Sequence, residues 1–198
     1  REQVEAAVQE AVDAFGGIDI LVNSAGVQRY GDVVETDESV WDEVIDVNVK
    51  GMFLASKYCV PHMRKRGGGA IVNVSSVQAY AAMKSCVAYS ASKGAINALT
   101  RAMSADHAAE NIRVNAVCPA SVDTPMLRGA ASLFSGGITQ DEVIQEWGRM
   151  HPVGRVGTTE EIAELIAFLC SEHAGFITGA DFKVDGGLMA QIVLKSPE

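Results

Sequence analysis

Tyr89 and Lys93 stand four residues apart in a stretch with helical spacing, so both project from one face. A phenol beside an ammonium can exchange a proton with a reacting oxygen if the phenol is acidic enough. A free phenol has a pKa near 10, roughly three units above the useful range at neutrality, and a neighbouring ammonium favours the phenolate. Taken alone, the pair reads equally as a surface aromatic next to a solvated lysine. Its surroundings narrow the choice. Ser76 closes an apolar run thirteen residues before Tyr89, and Asn48 lies in a long helical stretch ahead of that run. Asn23-Ser24-Ala25-Gly26 closes another apolar run, and Pro119-Ala120-Ser121-Val122-Asp123-Thr124 follows a third.

The elements that must position these residues alternate between strand and helix. Val4, Ala7, Val8, Ala11, Val12 and Phe15 recur at helical spacing and stop at Gly16-Gly17. Residues 18–23 form a short apolar run that reads as a buried strand. A long helix is expected from about Asp37 to Arg66, with Trp41, Val44, Ile45, Val49, Phe53 and Leu54 on one side and Pro61 kinking or thinning its last turns. Gly67-Gly68-Gly69 closes it, and residues 70–75 read as the second strand. A third helix is expected from near Val87 to Ala109, where Ala91, Ala95, Ala98 and Ala102 give a small-residue face that a second helix could approach. Residues 112–117 read as a strand. The stretch from Pro119 to about Gly157 reads as irregular apart from one helix, Gln140 to Met150. Thr158, with Glu161 three residues on, resembles a capped helix start. The last strand is Asp181 to Val184, followed by Asp185-Gly186-Gly187. Short apolar strands separated by helices imply an α/β fold, a parallel sheet covered on both faces. Ligands bind such sheets beyond the carboxyl ends of the strands, where the chemistry-bearing residues fall.

The chain has 198 residues with 25 acidic and 16 basic side chains, a formal charge of −9, which argues against a nucleic-acid or anionic-membrane partner. No apolar run approaches the roughly 18–20 residues of a membrane span, and the opening Arg1-Glu2-Gln3 carries no signal-peptide pattern. Cys59, Cys86, Cys118 and Cys170 are spread singly through apolar stretches, which reads as core packing in a reducing, cytoplasmic compartment. His62, His107, His151 and His173 have no metal-ligand spacing, so no metal site is expected.

With Ile177-Thr178-Gly179 and Val184-Asp185-Gly186-Gly187 added, the motifs run in order from Ile18 to Gly187 and resemble the classical short-chain dehydrogenase/reductase family. The resemblance implies a Rossmann-like doubly wound sheet and NAD or NADP as cofactor. It also implies interconversion of an alcohol and a ketone or aldehyde on a small-molecule substrate. Tyr89 would be the general acid/base and Ser76 would hydrogen-bond the substrate oxygen. Lys93 would lower the Tyr89 pKa and bind the nicotinamide ribose, and Asn48 would hold a water linking Lys93 to solvent. Asn23, Ala25 and Gly26 resemble the family's Asn-Asn-Ala-Gly turn, with Ser24 in place of the second Asn, where small residues let the adenosine portion pass. Pro119, Val122 and Thr124 correspond to the segment around the nicotinamide carboxamide and phosphates. Ala120 stands where the family usually has Gly and is acceptable only at negative φ. The resemblance also implies a homodimer or homotetramer, with the helices at about 37–66 and 87–109 paired across a twofold axis.

Gln28, Arg29 and Tyr30 after the Asn23 turn, Val77 and Gln78 after Ser76, and Met83 are the candidate substrate contacts. Residues 125–157 would form a lid. The polar members suit a sugar, a polyol or a 3-oxoacyl group, though solvated loop residues read the same way. Neither Gly-x-Gly-x-x-Gly nor the family's Thr-Gly-x-x-x-Gly-x-Gly turn occurs in the sequence. The expectation is therefore a single, partial domain over residues 1–198, truncated before its first strands, with the strand at 18–23 as an exposed apolar edge. Two readings stay open: an oxidoreductase, or a catalytically incompetent fragment that only oligomerises or binds.

Overall fold

A computed structural model describes residues 1–192. Helix α1 (Glu2–Phe15) ends at Gly16, whose φ of 79° is the left-handed stop expected there. Strand β1 (Ile20–Asn23) follows, then α2 (Glu38–Ile45), a π-helical segment Asp46–Lys50 and α3 (Gly51–Arg66). After β2 (Gly69–Val74) come α4 (Val87–His107), β3 (Ile112–Pro119), α5 (Pro125–Leu133), α6 (Gln140–Arg149), α7 (Thr159–Cys170) and β4 (Asp181–Val184).

The described strands form one parallel sheet in the order β1-β2-β3-β4, with Asn23 opposite Asn73 and Ile71 opposite Val114. Alternation along the strands sends side chains to two apolar layers. Ile71 and Val114 pack with Cys59, Val60 and Met63 of α3 and Met103 of α4. Val72 and Val117 pack on the other face with Ile162 and Leu169 of α7. The sheet is therefore covered on both sides, as its near-continuous apolar strands require. β1 is an edge of the described sheet, with Ile20 and Val22 partly exposed. Among the described residues, no helix is long and apolar enough to cross a membrane.

The expected helix 37–66 is a composite. Its middle turn is π-helical, and the extra residue there rotates every later side chain relative to the earlier ones. The apolar face that includes Val44 consequently does not continue to Phe53, which is 47% exposed; the buried residues of α3 are Met52, Ser56, Cys59, Val60 and Met63. Pro61 does not end the helix, which runs on to Arg66 and closes at Gly67. The small-residue face of α4 is not buried within the chain: Ala91, Ala98 and Ala102 point outward, open to a second helix, while Ser92, Lys93, Ile96 and Asn97 turn inward.

Residues 119–157 hold two helices, not one. The start of α5 is written in Thr124-Pro125: the Thr124 hydroxyl accepts the Leu127 N–H, and proline occupies the first turn, where its missing N–H costs nothing. α6 opens with a reciprocal capping box between Thr139 and Glu142, as α7 does between Thr158 and Glu161. Ala131, Val143 and Ile144 pack with Leu127, Trp147 and Val156 in a third apolar cluster apart from the two sheet layers.

Candidate functional site

Ser76 is the second residue after β2, and its extended backbone makes it the cap of a short 3-10 turn. Its Oγ accepts the Gln78 N–H at 3.1 Å and donates to the Pro119 carbonyl at 3.4 Å, so it bridges the ends of β2 and β3. Tyr89 stands in the first turn of α4 and Lys93 one turn later, 8% and 5% exposed. Lys93 Nζ donates to the Val74 carbonyl at 2.9 Å and lies 5.2 Å from the centre of the Tyr89 ring. Ser75 Oγ, donating to the Lys93 carbonyl at 3.1 Å, ties the helix backbone to the strand end.

Burial sets the electrostatics of this pair. It pushes the Tyr89 phenol up to about 12, against a smaller pull from the Ser76 hydroxyl, which favours the phenolate. Burial also brings the Lys93 ammonium down to about 8. The lysine was expected to make the phenol more acidic; desolvation instead makes it less so, because both groups are almost wholly out of water. At neutral pH the pair therefore rests as a neutral phenol beside an ammonium. In that state the phenol carries its proton and is a weaker acid than a free phenol; a further positive charge beside it, such as an oxidised nicotinamide, would favour the phenolate.

Asn48 lies within the π segment and is fully buried. Its Oδ1 accepts the Val27 N–H at 2.8 Å, and its Nδ2 donates to the Val27 carbonyl at 2.9 Å and to Ser92 Oγ at 3.0 Å. Ser92 Oγ in turn donates to the Tyr89 carbonyl at 2.7 Å. Both amide protons are thus committed to protein, and the side chain fastens the loop after β1 to the helix that carries Tyr89.

Asn23 also turns inward. Its Nδ2 donates to Asn73 Oδ1 at 2.9 Å, and Asn73 Nδ2 donates to Thr100 Oγ1 at 2.9 Å, a polar chain through the sheet into α4. Ala25 is exposed and Gly26 half-buried; a Cβ added at Gly26 would lie 3.4 Å from Asn48 Oδ1 and 3.9 Å from Lys93 Nζ. Ala120 is not among the residues of positive φ, which meets the condition set for alanine there. Val122 packs against the apolar layer under α7, and the Thr124 hydroxyl caps α5.

The candidate substrate contacts divide. Arg29 forms a two-pronged pair with Glu43 on α2, at 2.9 and 2.6 Å, so its guanidinium is held by a neighbouring helix. Met83 is partly exposed and Val77 buried. Gln28 donates to Cys86 Sγ at 3.5 Å, and Gln78 Oε1 accepts the Ser90 hydroxyl at 3.0 Å. Tyr30 packs edge-on against Phe134 at the end of α5, ring centres 5.1 Å apart at 83°. Ser92, Asn73, Thr100, Ser90 and Phe134 were not singled out from the sequence. Of these, only Ser92 had a usable signal: it stands three residues after Tyr89, on the same helical face.

A family model described as Enoyl-(Acyl carrier protein) reductase matches residues 1–189. The chain belongs to the classical short-chain dehydrogenase/reductase family. It is 43% identical over 187 residues to 2-(S)-hydroxypropyl-CoM dehydrogenase 3 of Xanthobacter autotrophicus, a match that covers 94% of this chain and 72% of that protein. The ligand-free aldohexose dehydrogenase of Thermoplasma acidophilum superposes with a TM-score of 0.95 at 41% identity, over all of this chain and 78% of that one. ElxO with NADP bound superposes with a TM-score of 0.86 at 33% identity, over 96% of this chain and 75% of that one. The short-chain dehydrogenase/reductase fold and oxidoreductase class therefore apply here, with NAD or NADP as cofactor.

The residues present fit the nicotinamide-ribose end of such a cofactor. Lys93 Nζ is buried, and its one described protein acceptor is the Val74 carbonyl, so donors remain on an ammonium with three protons. The glycine at 26 leaves open the space between that ammonium and Asn48, which a Cβ would occupy. The turn after Asn23 and the Pro119–Thr124 segment lie at the carboxyl ends of β1 and β3 in the same parallel sheet.

Proposed function

We propose that this oxidoreductase interconverts a secondary alcohol and a carbonyl compound, with Tyr89 as the general acid/base. The observation that carries the reading is the convergence of Ser76, Tyr89 and Lys93 beyond the ends of β2 and β3, with the lysine ammonium lying over the phenol ring. Bound NAD or NADP supplies or accepts the hydride. Tyr89 Oη delivers a proton to the carbonyl oxygen in reduction and removes it from the alcohol in oxidation. The Ser76 hydroxyl holds that oxygen within reach of the phenol. Lys93 has two tasks: its charge stabilises the phenolate once the proton has left, and its remaining donors engage the ribose. Asn48 serves by fixing Val27 and Ser92, and its Oδ1 can still accept from a water on the way from Lys93 to solvent.

Residues 125–157 act as the substrate lid, with Tyr30 and Phe134 closing it against the loop after β1. The amides of Gln28 and Gln78 suit a sugar, a polyol or a 3-oxoacyl group. The outward alanines of α4 provide a helix-pairing face for a homodimer or homotetramer. The test of function is direct: the chain is mixed with NAD or NADP and screened against aldoses, polyols, simple secondary alcohols and 3-oxoacyl thioesters by nicotinamide fluorescence. Turnover of at least one of these classes is expected; no turnover with either cofactor overturns the reading.

A further inference from the structure

The amide of Gln78 is held in one orientation by a residue with no part in the proton chemistry. Ser90, immediately after Tyr89, donates its hydroxyl to Gln78 Oε1 at 3.0 Å, while the Gln78 backbone N–H is taken by Ser76 Oγ at 3.1 Å. The side chain is thus pinned at its base by one member of the reacting pair and at its tip by the neighbour of the other. With Oε1 occupied by a donor, the Nε2 end carries two protons, and no described residue accepts either. A half-buried amide held in this way presents two free donors, while its oxygen already holds one of the two bonds it can accept.

We propose that Gln78 determines specificity by donating a hydrogen bond to a second oxygen on the substrate, one or two carbons from the reacting carbon, and that Ser90 is its positioning residue. This rests on the alcohol–carbonyl chemistry assigned to Ser76 and Tyr89. It narrows the substrate to vicinal or 1,3-oxygenated compounds whose second oxygen can accept. A monofunctional alcohol leaves the oriented donors without a partner once water is displaced, and an unmet donor costs more than a met one gains.

The matched probes are 1-methoxypropan-2-ol, whose ether oxygen only accepts, and pentan-2-ol, which has a methylene in its place. The ratio of their kcat/KM values is measured in the unmodified chain and in four variants. Gln78→Leu and Gln78→Glu are expected to lower the ratio about tenfold, the worth of one hydrogen bond. The second is informative because a carboxylate keeps the Ser90 contact but has no donor. Ser90→Ala is expected to lower it several-fold through KM, and Ser90→Thr to restore it. A ratio that moves less than about twofold in both Gln78 variants overturns the proposal, as does a Ser90→Ala loss that Ser90→Thr fails to rescue. If no alcohol is turned over, the proposed function fails, and the amide is judged by proton–nitrogen correlation spectra. The side-chain pair missing from the Gln78→Leu spectrum must then shift with methoxypropanol and not with pentanol; a pair that stays in place overturns the assignment.

Discussion

Asn48 and Val27 are joined by a two-point contact, the Asn48 amide accepting the Val27 N–H at 2.8 Å and donating to its carbonyl at 2.9 Å. The amide pairs with Val27 as a neighbouring strand would, in a loop that has none. The π segment that holds Asn48 brings it to the floor of the site, and Ser92 carries the connection into the helix of Tyr89.

Asn48→Leu removes all three bonds and leaves the Val27 N–H and carbonyl without partners. A buried polar group stranded in this way costs about 1–3 kcal/mol. The expected outcome is a lowered midpoint in urea unfolding together with a lowered kcat. Unaltered stability would show that the loop is held by other contacts.

Lys93 makes stability depend on pH with a definite sign. Its pKa falls from the ordinary 10.5 to about 8 in the folded chain, so the unfolded chain binds more protons between those values. Stability therefore rises with pH across that window. Tyr89 works oppositely at higher pH: raised from 10.0 to about 12, it makes the folded state hold the extra proton, and stability falls from about pH 10 upward. Urea unfolding of the parent chain against Lys93→Met should show the parent gaining on the variant from about pH 8 to about pH 10. A difference that stays flat across that range contradicts the burial of the ammonium.

The proposed lid would depend on a local cap. Thr124→Ala removes the oxygen that accepts the Leu127 N–H and should cost about 1 kcal/mol. The loss falls on α5 and hence on the placement of Phe134 against Tyr30. We expect a raised KM for substrate, with amide hydrogen exchange accelerated in α5 more than in β2 or β3. Uniform acceleration over the whole chain would count against a separately folding lid.

The outward alanines of α4 predict self-association. Ala98→Glu, placed on the exposed face, should shift sedimentation from dimer or tetramer toward monomer while leaving the circular dichroism of the helices in place. A variant that sediments like the parent would move the interface elsewhere.

The parts of this fold that sequence made legible are those decided within a few residues. Tyr89 and Lys93 share a face because helical periodicity puts them there, and Thr158 with Glu161 announced a helix start that the structure contains. Thr124-Pro125 was a local signal of the same kind, and the start of α5 could have been read from it. Nothing local indicates the π segment: its extra residue is held by hydrogen bonds from Asn48 to Val27, 21 residues away, and to Ser92, 44 residues away. The partner of Arg29 was hidden for a related reason. A long cation in a loop can reach several partners, and only the folded chain shows that Glu43 of α2 takes it. The rise in the Tyr89 pKa was equally invisible, since it follows from how completely the pair is removed from water.

Tyr89→Phe removes only the oxygen proposed to carry the substrate proton. The kinetics of Tyr89→Phe should be measured on the best substrate from the screen, with cofactor affinity followed by nicotinamide fluorescence in the same samples. Turnover is expected to fall by at least about a hundredfold, the usual scale of a lost general acid/base, with NAD or NADP affinity within a few-fold of the parent. Turnover near the parental rate would contradict the role proposed for Tyr89.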